Sequence, residues 1–233
     1  MKLSIIVPCF NESRNIPLIL EKFASVIKRN DVEVILVNNG SNDNSKQVLN
    51  ELVPNYSFAK IVNLDENHGY GFGIKSGLKH ARGEYIGYTH ADMQTDPKDP
   101  LKALEIIEKQ IDPNICYVKG DRKGRPFFDQ VFTIGMSIFE TFFLGTKLWD
   151  INAQPNIFHK TFFDTVEKNC PKDFSFDLFL LYMAKKKKLK IIRFDVIFPE
   201  RIHGESSWND GFISKWKFIK RTINFSIKLK KEL

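Results

Sequence analysis

The apolar positions of this chain fall into short continuous runs that alternate with stretches of helical period. Leu3-Ser4-Ile5-Ile6-Val7 stops at Pro8 and turns polar at Asn11-Glu12. Ile16, Ile19, Leu20, Phe23 and Ile27 then recur at the spacing of one helix face. A second run, 32–37, ends in Asn38-Asn39-Gly40-Ser41, and a third covers 60–64. Residues 84–89, β-branched and aromatic, break off into His90-Ala91-Asp92-Met93-Gln94-Thr95-Asp96-Pro97. A helix over 98–110, a strand near Tyr117-Val118, a helix opened by Pro126, a helix from Phe176 to the lysine run 185–188 and a strand over 190–198 follow. Continuous apolar strands alternating with helices predict an α/β fold, a mostly parallel central sheet with helices on both faces.

In such a fold ligands bind at the carboxyl edge of the sheet, so the polar residues that end each strand are the candidates for chemistry. Asp92 and Gln94 place a carboxylate and an amide oxygen at one strand end, a pair that suits Mg²⁺ or Mn²⁺ with positions left open for phosphate oxygens. The same string also serves as a helix start, with Asp96-Pro97 opening the helix that follows. The Gly-rich stretch 67–77 is not a dinucleotide fingerprint: it lacks the G-x-G-x-x-G register and follows the third strand, not the first.

At 233 residues, 42% hydrophobic and 27% charged, the chain has the length for one large α/β domain. Met1-Lys2 runs straight into the first strand, which argues against a signal peptide, and no apolar run reaches the roughly 18 residues of a membrane span. Three widely spaced cysteines (Cys9, Cys116, Cys170) show no metal or redox spacing and imply a reducing, cytoplasmic setting. Five of the seven net positive charges sit in residues 210–233, which carry seven Lys or Arg against two acids. There Phe212, Trp216, Ile219, Ile223 and Ile227 recur at helical spacing among cations. Such a helix lies on an anionic membrane or docks its apolar stripe on the domain. Nucleic acid is excluded as the partner, because the charge is confined to one tail and no nucleic-acid module appears. The lysine run 185–188 caps its helix favourably against the dipole. Residues 126–145 hold six phenylalanines with apolar residues on more than one face, as expected for a helix that is fully buried or lies against lipid or a partner.

The order V-P-x-x-N-E (7–12), V-N-N-G-S (37–41), N-x-G-x-G (67–71) and A-D-x-Q-x-D-P (91–97) resembles glycosyltransferase family 2, most closely the branch that includes dolichol-phosphate mannosyltransferase. Matching landmarks run from residue 3 to about 209. The resemblance implies a GT-A nucleotide-diphospho-sugar transferase fold over 1–209 with the basic helix 210–233 appended. It implies nucleotide contacts from Pro8, Asn11, Glu12, Asn39, Ser41, Asn67, Gly69, Lys75, Ala91 and Asp92, and a metal held by Asp92, Gln94 and His90. By the same resemblance Arg122 (where the family has Gly-Ser-Arg), Gln154 and Ser206 belong to the acceptor or phosphate side. Asp177 is the first candidate for a general base and Asp150 the second, while Arg201 and His203 lie in a flap that closes over the pyrophosphate. The implied enzyme moves a sugar from a nucleoside-diphosphate sugar to a lipid-linked or cell-envelope glycan acceptor, at the inner face of the membrane. An acceptor that is already a phosphate needs no base; a sugar hydroxyl does.

Three departures from the family pattern bear on chemistry. His90 stands where D-x-D has its first aspartate, removing a negative charge and favouring Mn²⁺, which tolerates nitrogen. Asn39 replaces an aspartate that would accept the ring N–H of uracil or guanine; an amide both donates and accepts, so cytosine stays open. Asp121 replaces a serine, and beside a phosphate it requires pairing with Arg122 or Lys123. Two rival functions remain: a nucleotidyltransferase, opposed by the lack of a Gly-rich, Arg-containing loop after the first strand, and a nucleotide-sugar binder without turnover, motivated by His90.

Overall fold

The structure is a computed structural model that describes residues 1–199 and 211–232, apart from the side chains of Phe128, 211–215, Phe218 and Glu232. The expected strands appear as β1 (Leu3–Cys9), β2 (Val32–Asn39), β3 (Ala59–Leu64), β4 (Tyr85–Tyr88), β5 (Cys116–Lys123) and, after an unexpected β6 (Asn156–His159), β7 (Lys190–Ile197). The helices are α1 (Asn15–Val26), α2 (Ser45–Leu52), α3 (Tyr70–Lys79), α4 (Lys98–Glu108), α5 (Phe127–Leu144), α6 (Lys160–Val166), α7 (Phe176–Lys186) and α8 (Gly211–Glu232).

One seven-stranded sheet runs β3-β2-β1-β4-β6-β5-β7. β1 pairs in parallel with β2 and β4, β2 with β3, and β5 with β7; only β6 runs antiparallel, between β4 and β5. Four residues are too few to show a period; pairing with β4 on one edge and β5 on the other makes them a strand. Side-chain alternation splits the core in two. Ile5, Val7, Val34 and Leu36 face Ile16, Leu20, Phe23, Leu104 and Ile107 of α1 and α4, whereas Ile6, Ile35 and Val37 face Ile74, Leu78 and Leu180 of α3 and α7. Every residue of β2 is buried, Glu33 included. Burial pushes the Glu33 carboxyl up, but Ser4, Lys60 and Arg82 together hold it down at about 2.

Two helices depart from expectation. α5 shows three faces: Phe132 and Met136 line a cleft, Glu140 is buried against α8, and Phe127, Val131, Ile134, Ile138 and Phe142 form an exposed stripe, with Phe127 72% and Phe142 83% exposed. α8 docks on α5, but not through its apolar stripe. Among its described side chains Thr222, Ser226 and Leu229 are buried, and Ser226 Oγ donates to Glu140 Oε2 at 2.7 Å. Trp216 stays 67% exposed and Ile227 is exposed as well. A buried carboxyl requires a hydrogen-bond partner, which Ser226 supplies to Glu140, while Leu229 and Phe225 of the same helix pack on the apolar core. Among the described residues no helix is long and apolar enough to cross a membrane.

Candidate functional site

Because β1, β2 and β4 are parallel, their carboxyl ends open on the same edge. Together with the approach to α3, the start of α7 and the front of α5 they enclose a cleft of about 1260 Å³. Twelve of the expected residues line it: Pro8, Asn11, Glu12, Asn39, Asn67, Gly69, His90, Ala91, Asp92, Gln94, Arg122 and Asp177. Ser41 lies just behind, where its hydroxyl accepts the Asn11 N–H at 3.1 Å. Lys75 points away and donates to the Glu167 carbonyl at 2.8 Å, so it is not part of the cleft wall. Asp150 and Gln154 are buried beneath the floor. Arg201, His203 and Ser206 lie outside the described residues.

Asn39 is 3% exposed at the end of β2. Its Nδ2 donates to the Gly69 carbonyl at 3.1 Å and to Asn67 Oδ1 at 3.4 Å. The Asn67 oxygen is itself identified by the Gly69 N–H it accepts at 2.8 Å, so the Asn39 amide has one orientation only. Both hydrogens are engaged, and Oδ1 is buried with no hydrogen-bond partner. Gly69 is required at this point: its φ is +112°, and a Cβ would stand 2.5 Å from the Lys172 carbonyl oxygen. The expectation of a donor-and-acceptor face on Asn39 is therefore corrected, because the donor half is occupied inside the protein.

At the end of β4 the chain turns through Met93 at φ +63°, and Asp92 Oδ1 accepts the Gln94 N–H at 3.1 Å. Asp96, not Asp92, serves the mouth of α4, where its Oδ1 accepts the Lys98 N–H at 2.9 Å. That leaves Asp92, 4% exposed, facing the cleft. Gln94 Nε2 donates to the Pro199 carbonyl at 3.1 Å, and the His90 ring lies 6.4 Å from Tyr70 and 6.2 Å from Phe198. Among the described residues no three His, Cys, Asp or Glu side chains form a metal cage. One carboxylate with an imidazole nearby fits a cation completed by diphosphate oxygens and water, the usual manner of Mg²⁺ and Mn²⁺ at phosphate sites.

The two cleft arginines differ. Arg122 is tied to Asp150: its backbone N–H and its Nε each donate at 2.9 Å, and its guanidinium closes a salt bridge. Burial alone would raise the Asp150 carboxyl, but the Arg122 charge and hydrogen bonds hold it below the usual range. A carboxylate so stabilised is a poor base, which removes the second base candidate. Asp121 pairs with Lys123 at 2.8 Å, the pairing its position requires. Arg125, 8% exposed, hydrogen-bonds Thr133 Oγ1 at 2.6 Å and lies over the Phe198 ring, with no described carboxylate within ion-pair distance. Burial and the Arg122 charge both lower its pKa, yet a guanidinium stays protonated. It has no direct ion-pair partner among the described residues, although the Asp150 and Asp129 charges favour it from further off.

Asp177 lies at the cleft floor, at the start of α7. Its Oδ1 accepts from Tyr88 Oη at 2.7 Å, Gln154 Nε2 at 3.1 Å and Asn156 Nδ2 at 3.4 Å. Burial pushes the carboxyl above the ordinary range, against the Lys119 charge and the Tyr88 hydrogen bond. Tyr70, stacked on Phe174 at 4.8 Å, Phe198 and Arg125 are among the cleft residues that the sequence reading missed. For Arg125 a signal existed: it stands immediately before Pro126, at the mouth of a helix, three residues after Arg122.

The family described as glycosyl transferase family 2 matches residues 4–165. A dolichol-phosphate mannosyltransferase from Pyrococcus furiosus is 25% identical over 97% of this chain and 68% of its own length. A mannosyltransferase from Pyrobaculum calidifontis, solved with GDP-Man and Mn²⁺, superposes with a TM-score of 0.71 at 18% identity over 97% of this chain and 64% of that one. Glucosyl-3-phosphoglycerate synthase from Mycobacterium tuberculosis, solved with Mn²⁺, UDP and glucosyl-3-phosphoglycerate, also gives 0.71, at 13% identity over 98% and 79%. These likenesses show that the α/β architecture is the GT-A glycosyltransferase fold.

Proposed function

The chain belongs to glycosyl transferase family 2, and from that premise we propose that it moves a hexosyl group from a uridine- or guanosine-diphosphate sugar to the phosphate of a lipid-linked acceptor, assisted by Mn²⁺ or Mg²⁺. The observation that carries this reading is Arg125, a buried guanidinium without a carboxylate partner, in the same cleft as Asp92 and beside the apolar Phe132 and Met136. An acceptor phosphate would neutralise Arg125 while its hydrocarbon chain follows α5. The phosphate oxygen attacks the anomeric carbon, and the bond to the diphosphate breaks with its electron pair. A divalent cation on Asp92 would neutralise the charge of that leaving group. Asp177 is positioned to bind the transferred sugar, and with a hydroxyl acceptor the same carboxylate, its pKa raised by burial, would serve as the base. Incubation with UDP-glucose or GDP-mannose, Mn²⁺ and a polyprenyl phosphate in detergent tests the reading. A glycosylated lipid phosphate is the expected product, and transfer only to free sugar hydroxyls would favour the second acceptor class. The family match and a relative named as a transferase favour turnover over the nucleotidyltransferase and the non-catalytic binder.

The choice of base rests on Asn39. Its unpartnered acceptor, at the cleft wall, suits the ring N–H of uracil or guanine and opposes cytosine, whose ring nitrogen also accepts. UDP and GDP with Mn²⁺ should bind more tightly than CDP by on the order of 1–3 kcal/mol, the cost of an unpaired buried polar group. Thermal shifts that rank CDP equal or first would remove Asn39 from base reading.

The exposed stripe of α5 and the lysines of α8 further support peripheral attachment to an anionic membrane. Five apolar residues lie in line without a charge, and Trp216, Lys217, Lys220, Lys228 and Lys231 are exposed on the helix that docks beside them. Attraction of about 1 kcal/mol per basic residue near the surface adds to the burial of the stripe. Flotation with anionic vesicles should show binding that weakens at high salt and is lost in Phe127→Asp/Phe142→Asp. Absence of wild-type binding to such vesicles would refute the attachment.

A further inference from the structure

Beneath the cleft floor lies a polar network that the transfer chemistry does not consume. Lys119, on β5, is fully buried, and its ammonium donates to the Ala153 carbonyl and, at 2.9 Å, to Asn156 Oδ1. Asn156 Oδ1 also accepts the Tyr117 hydroxyl at 3.0 Å. With two donors on its oxygen, the Asn156 amide has a single orientation: Nδ2 faces Gln154 Oε1 at 3.0 Å and Asp177 Oδ1 at 3.4 Å. This in turn orients Gln154, whose Nε2 reaches Asp177 Oδ1 at 3.1 Å and the Tyr70 hydroxyl at 3.0 Å. The hydrogen bonds run one way, from a group that only donates to a carboxylate that only accepts.

We propose that Lys119 is a positioning residue for sugar transfer, which fixes the amides of Asn156 and Gln154 and through them holds the Asp177 carboxylate at the cleft floor. This rests on the reading that Asp177 binds the transferred sugar. An apolar side chain would fill this place in β5 without the desolvation cost of an amine, a cost large enough to bring the Lys119 pKa down to about 7. Without the amine, the Asn156 oxygen keeps only the Tyr117 hydroxyl as donor and the amide is held less firmly, and a displaced amide weakens the N–H contacts that Gln154 and Asp177 now receive. The network supplies two of the three donors on Asp177 Oδ1, Gln154 and Asn156; the third, the Tyr88 hydroxyl, binds it directly.

Lys119→Met retains most of the stem and removes the donors. It should lower kcat at least tenfold while the KM for the donor sugar and the affinity for UDP or GDP stay within twofold. Asn156→Asp is the second variant: it keeps a partner for the Lys119 ammonium and places an acceptor where Nδ2 now donates to Gln154 and Asp177, and the same loss of kcat is expected. On the residual turnover of Asp177→Asn neither change should reduce kcat further. If Asp177→Asn is inactive but both variants keep kcat within twofold of wild type, Lys119 does not position Asp177 and only this proposal falls. Losses that multiply with Asp177→Asn would place the action of Lys119 elsewhere. Full activity of Asp177→Asn would overturn the Asp177 reading and this proposal with it.

Discussion

Asp92→Ala is expected to lower sugar transfer by on the order of 10²–10³-fold, the usual loss when a group that stabilises leaving-group charge is removed. Asp92 is the only carboxylate at the end of β4 that faces the cleft, since Asp96 is engaged at the mouth of α4. In the described part of the molecule no second cluster of acids stands ready to take the cation instead. The variant should also lose Mn²⁺-dependent stabilisation by nucleotide, which at ligand concentrations 100-fold above Kd amounts to about 2.7 kcal/mol. Both losses can be read from one preparation, by thermal shift with UDP or GDP with and without Mn²⁺ and by the transfer assay. Full activity, or an Mn²⁺ effect that survives, would exclude Asp92 as the metal ligand.

The second large effect is expected at Arg125. Arg125→Met retains the apolar stem and removes a guanidinium that has no direct ion-pair partner among the described residues, only the more distant charges of Asp150 and Asp129. A hydrogen bond to a charged group contributes roughly 1.5–3 kcal/mol, so the KM for a polyprenyl phosphate should rise by about 10- to 100-fold. Nucleotide affinity should stay unchanged. Stability should hold or increase, because an unpaired buried cation is lost. Arg122→Met should behave differently: it strands the buried Asp150 carboxylate and should destabilise the fold. If Arg125→Met leaves the acceptor KM where it was, the acceptor phosphate binds elsewhere and Arg125 is structural.

The strand runs, the helical periods and the polar strand ends were legible because they are local. Burial on both faces of a parallel sheet demands continuous apolar runs, and a ligand edge demands that those runs end in side chains such as Asn39 and Asp92. The residues of β6 were not legible, because four residues carry no period and their pairing depends on β4 and β5, far away in the chain. The sequence pointed to Arg122 and not to Arg125; only the approach of Asp150 to Arg122 separates a structural ion pair from a cation without a direct partner. The tail read as one apolar stripe with two possible partners. In the fold the helix docks with Ser226 on the buried Glu140 and leaves Trp216 outside.

The sequence by itself determined the fold class, the family and the edge of the sheet where the chemistry lies, because those follow from residue type and spacing along the chain. Only the tertiary structure decided which face of Asn39 is available, which arginine awaits an anion and what lies beneath Asp177. Each of these depends on where a hydrogen-bond donor or acceptor already has a partner, and the partners come from elements distant in sequence: Gly69 for Asn39, Asp150 for Arg122, Lys119 and Asn156 for Asp177. Spacing along a chain records propensity, whereas saturation of polar groups is a property of the packed molecule.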